Sequence, residues 1–140
     1  MEIQFQFYTN TTIQKAIESI FFDTRSGLDN VIYGLDWSEV ETDDRLLHQL
    51  ERALDVDLSF LDYWNEAVHG QYLEIDTFLK SLKELGSVLM ANPNYYQQID
   101  YPYVPNDFLP QVFLEAIEAL IKYFEDYRRK GATLLKIKTL

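Results

Sequence analysis

These 140 residues contain no cysteine, which removes a thiol nucleophile, a thiolate metal site and any disulfide framework, and suits a reducing compartment. Five glycines and four prolines leave little material for a glycine-rich phosphate loop, and no serine stands in a nucleophile elbow. Base is scarce too. Twelve Lys and Arg face twenty-three Asp and Glu, for a net charge of −11, which argues against binding nucleic acid or an anionic membrane through a basic face. No apolar run approaches the ~18 residues of a membrane span. The opening Met-Glu-Ile-Gln-Phe-Gln-Phe-Tyr alternates apolar and polar residues and carries an acid at position 2, unlike the basic start and apolar run of a signal peptide. A cytoplasmic, monomeric chain that needs no cofactor is expected. It is read as one domain over residues 1–140, long enough to bury a core without disulfides or a structural metal.

What is present in quantity is aromatic side chain and acid. Ten Tyr and nine Phe can supply both a core and exposed anchors. Between Asp36 and Asp76 twelve carboxylates meet only Arg45 and Arg52, so a net −10 of the chain's −11 falls in this segment. Tyr33, Trp37, Tyr63 and Trp64 lie in or beside it. A one-signed surface interleaved with aromatic rings has the composition of a recognition face rather than of a reaction centre.

In chain order, Ile3, Phe5 and Phe7 share one side of an expected strand. The spacing Thr11-x-x-Gln14 is a capping box, and Ile13, Ala16, Ile17 and Ile20 then predict a helix from about Thr12 to Phe22. After Ser26 and Gly27, Leu28, Val31, Ile32 and Leu35 form a short apolar stripe, with Asp29, Asn30 and Tyr33 on its other side and Gly34 within it. Ser38-x-x-Glu41 is a second capping box, and Thr42-Asp43-Asp44 a further start signal. The helix that follows turns Leu46, Leu47, Leu50 and Leu54 inward and Asp44, His48, Glu51 and Asp55 outward. Ser59 is expected to cap a helix burying Phe60, Leu61, Trp64 and Val68 up to Gly70. Asp76 is expected to cap one with Phe78, Leu79, Leu82, Leu85 and Leu89 inside, stopped by Asn92-Pro93.

Residues 94–106, with two prolines and four tyrosines, suit a loop holding one short strand near Ile99 to Val104. A long helix follows, with Pro110 in its first turn and Arg128, Arg129 and Lys130 at its negative end before Gly131. Thr133 to Leu140 alternates as a closing strand. Strands separated by helical crossovers favour parallel pairing. The expected fold is thus a helix-rich α/β domain, a small, mostly parallel three-stranded sheet with helices packed on one face and both terminal strands in it.

This pattern resembles the barstar family of acidic intracellular ribonuclease inhibitors. The residues that carry the likeness are Leu28-Asp29 after Gly27, Leu35-Asp36-Trp37, the tail Lys130-Gly131-Ala132 with the strand after it, and Asp100-Tyr101-Pro102, placed like the start of the family's middle strand. The resemblance implies a three-stranded parallel sheet backed by helices, and a short helix whose Asp side chains enter the active site of a basic nuclease. Asp29 is the one position carried over. Where the family often has a second acid, this chain has Tyr33, and residues 39–98 have no clear counterpart.

Other constellations have plainer readings beside the functional one. Asp44, His48, Glu51 and Asp55 could approach a divalent cation if a second helix supplied ligands, though a charged helical stripe is usually just solvated. His69 beside Gly70 suits the carbonyl end of a helix. Asp62 and Glu66 could act as an acid–base pair, but such pairs are common on acidic helices. Trp64 lies on an inner stripe and reads as core, whereas Trp37, at a helix boundary beside Asp36, is core or anchor. Tyr95, Tyr96, Tyr101 and Tyr103 either cover the core or face a ligand.

The leading expectation is not an enzyme but an immunity- or antitoxin-type inhibitor. It would bind and occlude a basic toxin, a nuclease foremost, through Asp29, Tyr33, Asp36, Trp37, Asp44, Glu51 and Asp55, with no direct contact to nucleic acid or membrane. An acidic adaptor or nucleic-acid mimic that binds another basic protein is the first alternative. A small metal-dependent enzyme using the Asp44 to Asp55 stripe is the second.

Overall fold

The structure is a computed structural model, and it describes residues 3–9, 18–22, 27–35, 42 and 44–139. Among them four strands form one sheet in the order β2-β1-β4-β3. These are β1 (Ile3–Tyr8), β2 (Glu18–Phe22), β3 (Leu73–Glu74) and β4 (Leu134–Thr139). Every pairing is antiparallel. The helices are α1 (Leu28–Ile32), α2 (Leu46–Leu54), α3 (Ile75–Ala91) and α4 (Phe113–Arg129).

The antiparallel order corrects the parallel, three-stranded sheet expected from the crossovers and from the barstar likeness. The error begins between Thr12 and Phe22. Residues 10–17 lie outside the described ones, but Glu18–Phe22 is a strand on the edge of β1, with Phe5 opposite Ile20. The run Ile20-Phe21-Phe22 is β-branched and aromatic, a composition that a pleated surface accommodates better than a helix does. At the other end, α4 passes into β4 through a tight turn at Gly131, whose φ of 99° is in the left-handed region. Within that turn Ala132 N–H donates to Tyr127 O at 3.0 Å, and Thr133 N–H donates to Tyr8 O at 2.9 Å. The fold-back lays β4 against β1 head to tail, Phe5 opposite Ile137 and Phe7 opposite Leu135.

Three local expectations also change, each because polar side chains capture backbone groups. The helix expected from Ser59 is a single 3-10 turn, Ser59–Leu61. Asp57 Oδ1 accepts Ser59 N–H, Asp62 Oδ1 accepts Trp64 N–H, and the Asn65 amide bonds Ser59 O and Ala67 N–H. Such side-chain bonds compete with helical ones. The strand expected near Ile99 to Val104 is absent: Tyr95–Gln98 is a 3-10 turn, and the Gln49 side chain bonds both Asp100 N–H and Asp100 O. Pro110 does not open α4 but lies in a π turn, Phe108–Val112. Tyr95 donates its hydroxyl to Leu109 O there at 2.5 Å.

One face of the sheet, Ile3, Phe5, Phe7, Leu135 and Ile137, is buried against the helices. Phe78, Phe124 and Tyr127 from α3 and α4 close over it, Phe7 stacking on Tyr127 at 4.3 Å and meeting Phe124 edge-on at 5.2 Å. Such contacts add to the burial of the rings themselves. The leucines of α2 and α3 that the periodicity turns inward are buried. Of the α1 stripe, Leu28, Val31 and Ile32 are buried and Leu35 is 48% exposed, because Gly34, at φ 91°, ends the helix before it. Gly27 precedes α1 at φ 94°, and a Cβ there would lie 2.7 Å from the Phe108 ring. Only glycine allows α1 to start so close to the π turn.

Candidate functional site: an acid–aromatic corner

α1 is five residues long and ends with several carbonyls that have no partner within the helix. Arg45, the residue before α2, supplies that partner. Its guanidinium donates to Ile32 O at 2.6 Å and Val31 O at 3.4 Å, and to Asp62 Oδ1 at 2.5 Å. A cation at a helix start opposes the helix dipole, so the placement of Arg45 is set by these acceptors and not by α2. The Arg45 side chain is 1% exposed and that of Asp62 16%. Burying a guanidinium is costly unless it is paired, and here a carboxylate and two carbonyls meet it.

The same acceptors hold the next segment. Ile32 O also takes Tyr63 N–H at 3.0 Å, and Asp62 Oδ1 takes Trp64 N–H at 3.0 Å. The Trp64 indole N–H donates to Tyr33 O at 2.7 Å. Three rings thereby converge: Tyr33 lies 4.9 Å from Trp64 and 5.6 Å from Tyr63, and Tyr63 lies 5.3 Å from Trp64. The exposed His69 completes the group, edge-on to Tyr63 at 4.6 Å and parallel to Trp64 at 6.2 Å. Tyr33, Tyr63 and Trp64 are half-buried, so each ring is fixed on one side and retains accessible surface.

The expected binding residues divide around this corner. Asp29 is half-buried on α1 one turn before Tyr33, and Asp29 O accepts Tyr33 N–H at 2.8 Å. Asp44 is exposed beside Arg45. Glu51 and Asp55 lie in the last turn of α2, ~10 Å further along the helix axis. Glu51 is committed to the fold: it meets His48 Nδ1 at 3.0 Å and accepts Leu58 N–H at 3.0 Å, and its side chain is 25% exposed. Asp55 is exposed and ends α2 at φ 52°. Asp36 and Trp37 lie outside the described residues. The outward stripe of α2 therefore does not act as one face, since its middle is occupied internally. Among the described residues no cluster of three or more His, Asp or Glu side chains is placed to hold a metal ion.

Sequence reasoning missed Arg45; it counted Tyr63 and Trp64 among the rings of the acidic segment but read Trp64 as core within its helix, and it considered Asp62 only as an acid–base partner of Glu66. One signal was available: a lone arginine between Asp44 and Leu46, at a helix start where a cation is disfavoured, needs a specific partner. A pocket of about 920 Å³ lies elsewhere, lined by residues such as Leu58, Phe60, Leu79 and Val88. Its rim carries both signs of charge, and two of its cations are engaged, Lys83 with Glu125 at 2.9 Å and Arg128 with Asp76 at 2.9 Å.

Comparison with protein families, with characterised proteins and with solved structures finds no match to this chain. Among the described residues no helix is long and apolar enough to cross a membrane.

Proposed function

We propose that the chain is a cytoplasmic, monomeric immunity- or antitoxin-type inhibitor that binds a basic protein toxin, a nuclease, and occludes its active site. The reading rests on one juxtaposition. Tyr33, Tyr63 and Trp64 form a half-buried group one turn after Asp29, and two of these rings, Tyr63 and Trp64, belong to the segment that holds a net −10. Carboxylates around fixed aromatic rings suit a cationic active site that normally receives phosphate. The charge accelerates encounter and the rings slow dissociation. The proposal does not depend on the barstar likeness, whose parallel sheet the described residues do not form.

The test is to express the product of the neighbouring reading frame and assay it as a nuclease with and without this protein. Added protein is expected to abolish nuclease activity at one equivalent. If the protein binds that neighbour and leaves its activity intact, the acidic-adaptor reading takes its place.

A further inference from the structure

The corner is built around a side chain that no partner can touch. Arg45 is 1% exposed, yet the backbone hydrogen bond that ties Tyr63 to α1 and the one that fixes Trp64 within the 62–64 turn both share an acceptor with its guanidinium. Ile32 O serves Arg45 and Tyr63 N–H, and Asp62 Oδ1 serves Arg45 and Trp64 N–H. The indole bond to Tyr33 O then depends on where Trp64 has been placed. Three separate pieces of chain, the end of α1, the start of α2 and the 62–64 turn, have this one cation in common. Its Nε has no hydrogen-bond partner among the described residues. As a device for stability alone it is inefficient, since a buried ion pair seldom outperforms well-packed apolar groups of similar volume.

We infer that Arg45 is the positioning residue of the partner-binding corner, holding Tyr33, Tyr63 and Trp64 in the arrangement that a cationic partner meets. This rests on the proposed function, because it assigns the corner to binding. The planar fork reaches a carboxylate and the carbonyl end of α1 together, whereas an ammonium is a compact point charge without the fork, so lysine should not replace it fully. Arg45 also pairs with Asp62 internally, which leaves recognition to Asp29 and to the exposed carboxylates of the acidic segment.

The test uses the indole N–H signal of Trp64 in nuclear magnetic resonance, read for hydrogen exchange and for its shift on adding an alternating arginine–glycine decapeptide. In Arg45→Met, with the thermal transition retained, Trp64 indole exchange is expected to speed up about tenfold, as when a local hydrogen bond is lost. The peptide-induced shift should disappear at the same time. Arg45→Lys should fall between Met and the parent protein in both readings. Asp62→Asn is the second route should Arg45→Met not fold, and it is expected to raise indole exchange in the same direction. Unchanged indole exchange in the folded variants overturns the positioning role whatever the peptide does. Faster exchange with an undiminished peptide shift at Trp64 shows that the arrangement does not govern binding, and overturns the functional half. If the parent protein shows no peptide shift at Tyr33, Tyr63 or Trp64, the reading of the corner as an interface fails, while the exchange result still reports on Arg45.

Discussion

Tyr95 shows how one residue can couple a backbone irregularity to pH. The π turn at Phe108–Val112 brings Leu109 O within 2.5 Å of the Tyr95 hydroxyl, and burial pushes the pKa of that hydroxyl well above the usual tyrosine value. A raised value in the folded state means that the stabilisation is complete below the unfolded value of about 10 and is lost as pH rises above it. Tyr95→Phe should therefore cost about 1 kcal/mol at neutral pH, the size of a typical net hydrogen bond. It should also make stability fall less between pH 10 and pH 12 than in the parent protein. Denaturant unfolding at the two pH values checks both parts, and an identical alkaline decline in the two proteins would remove Tyr95 from the account.

At the scale of elements, the long amphipathic helices and the terminal strands were legible. Their apolar residues recur at helical or strand spacing, and Leu46, Leu47, Leu50, Leu82, Leu85, Leu135 and Ile137 are buried where that spacing puts them. Strand direction was not legible, because nothing in the pattern of Ile20-Phe21-Phe22 reveals which way the chain lies against β1. Nor was the segment from Ser59 to Val68, where apolar spacing reads as helix but Asp57, Asp62 and Asn65 draw the backbone into turns. The candidate site was half visible: Asp29 came from the barstar likeness and Tyr33 from its place one turn later, whereas the placement of Arg45 depends on contacts 13 and 17 residues away. β4 joins β1 to β3 and supplies Leu135 and Ile137 to the core. Protein ending at Gly131 should thus lose its cooperative thermal transition, since two buried aliphatic side chains and the central ladder go together. A calorimetric transition equal to that of the full chain would contradict this architecture.

For the whole molecule, charge is the governing quantity. A net −11, nearly all of it between Asp36 and Asp76, produces a field screened over about 10 Å at 0.1 M salt. Association with a basic partner should accelerate steeply as salt is lowered, while dissociation, set by the buried rings, should change little. Stopped-flow rates at several ionic strengths check this, and an association rate constant indifferent to salt would exclude steering. The central claim is that recognition centres on the corner at the end of α1 and not on the outward stripe of α2. It is tested most directly by titrating the partner nuclease with Asp29→Ala, Tyr33→Ala and the triple alanine variant of Asp44, Glu51 and Asp55, with circular dichroism to verify folding. The account predicts that Asp29→Ala and Tyr33→Ala each weaken binding by ~2 kcal/mol or more, beyond the loss in the triple variant. Loss of binding in the triple variant, with Asp29→Ala and Tyr33→Ala binding as the parent does, would contradict it.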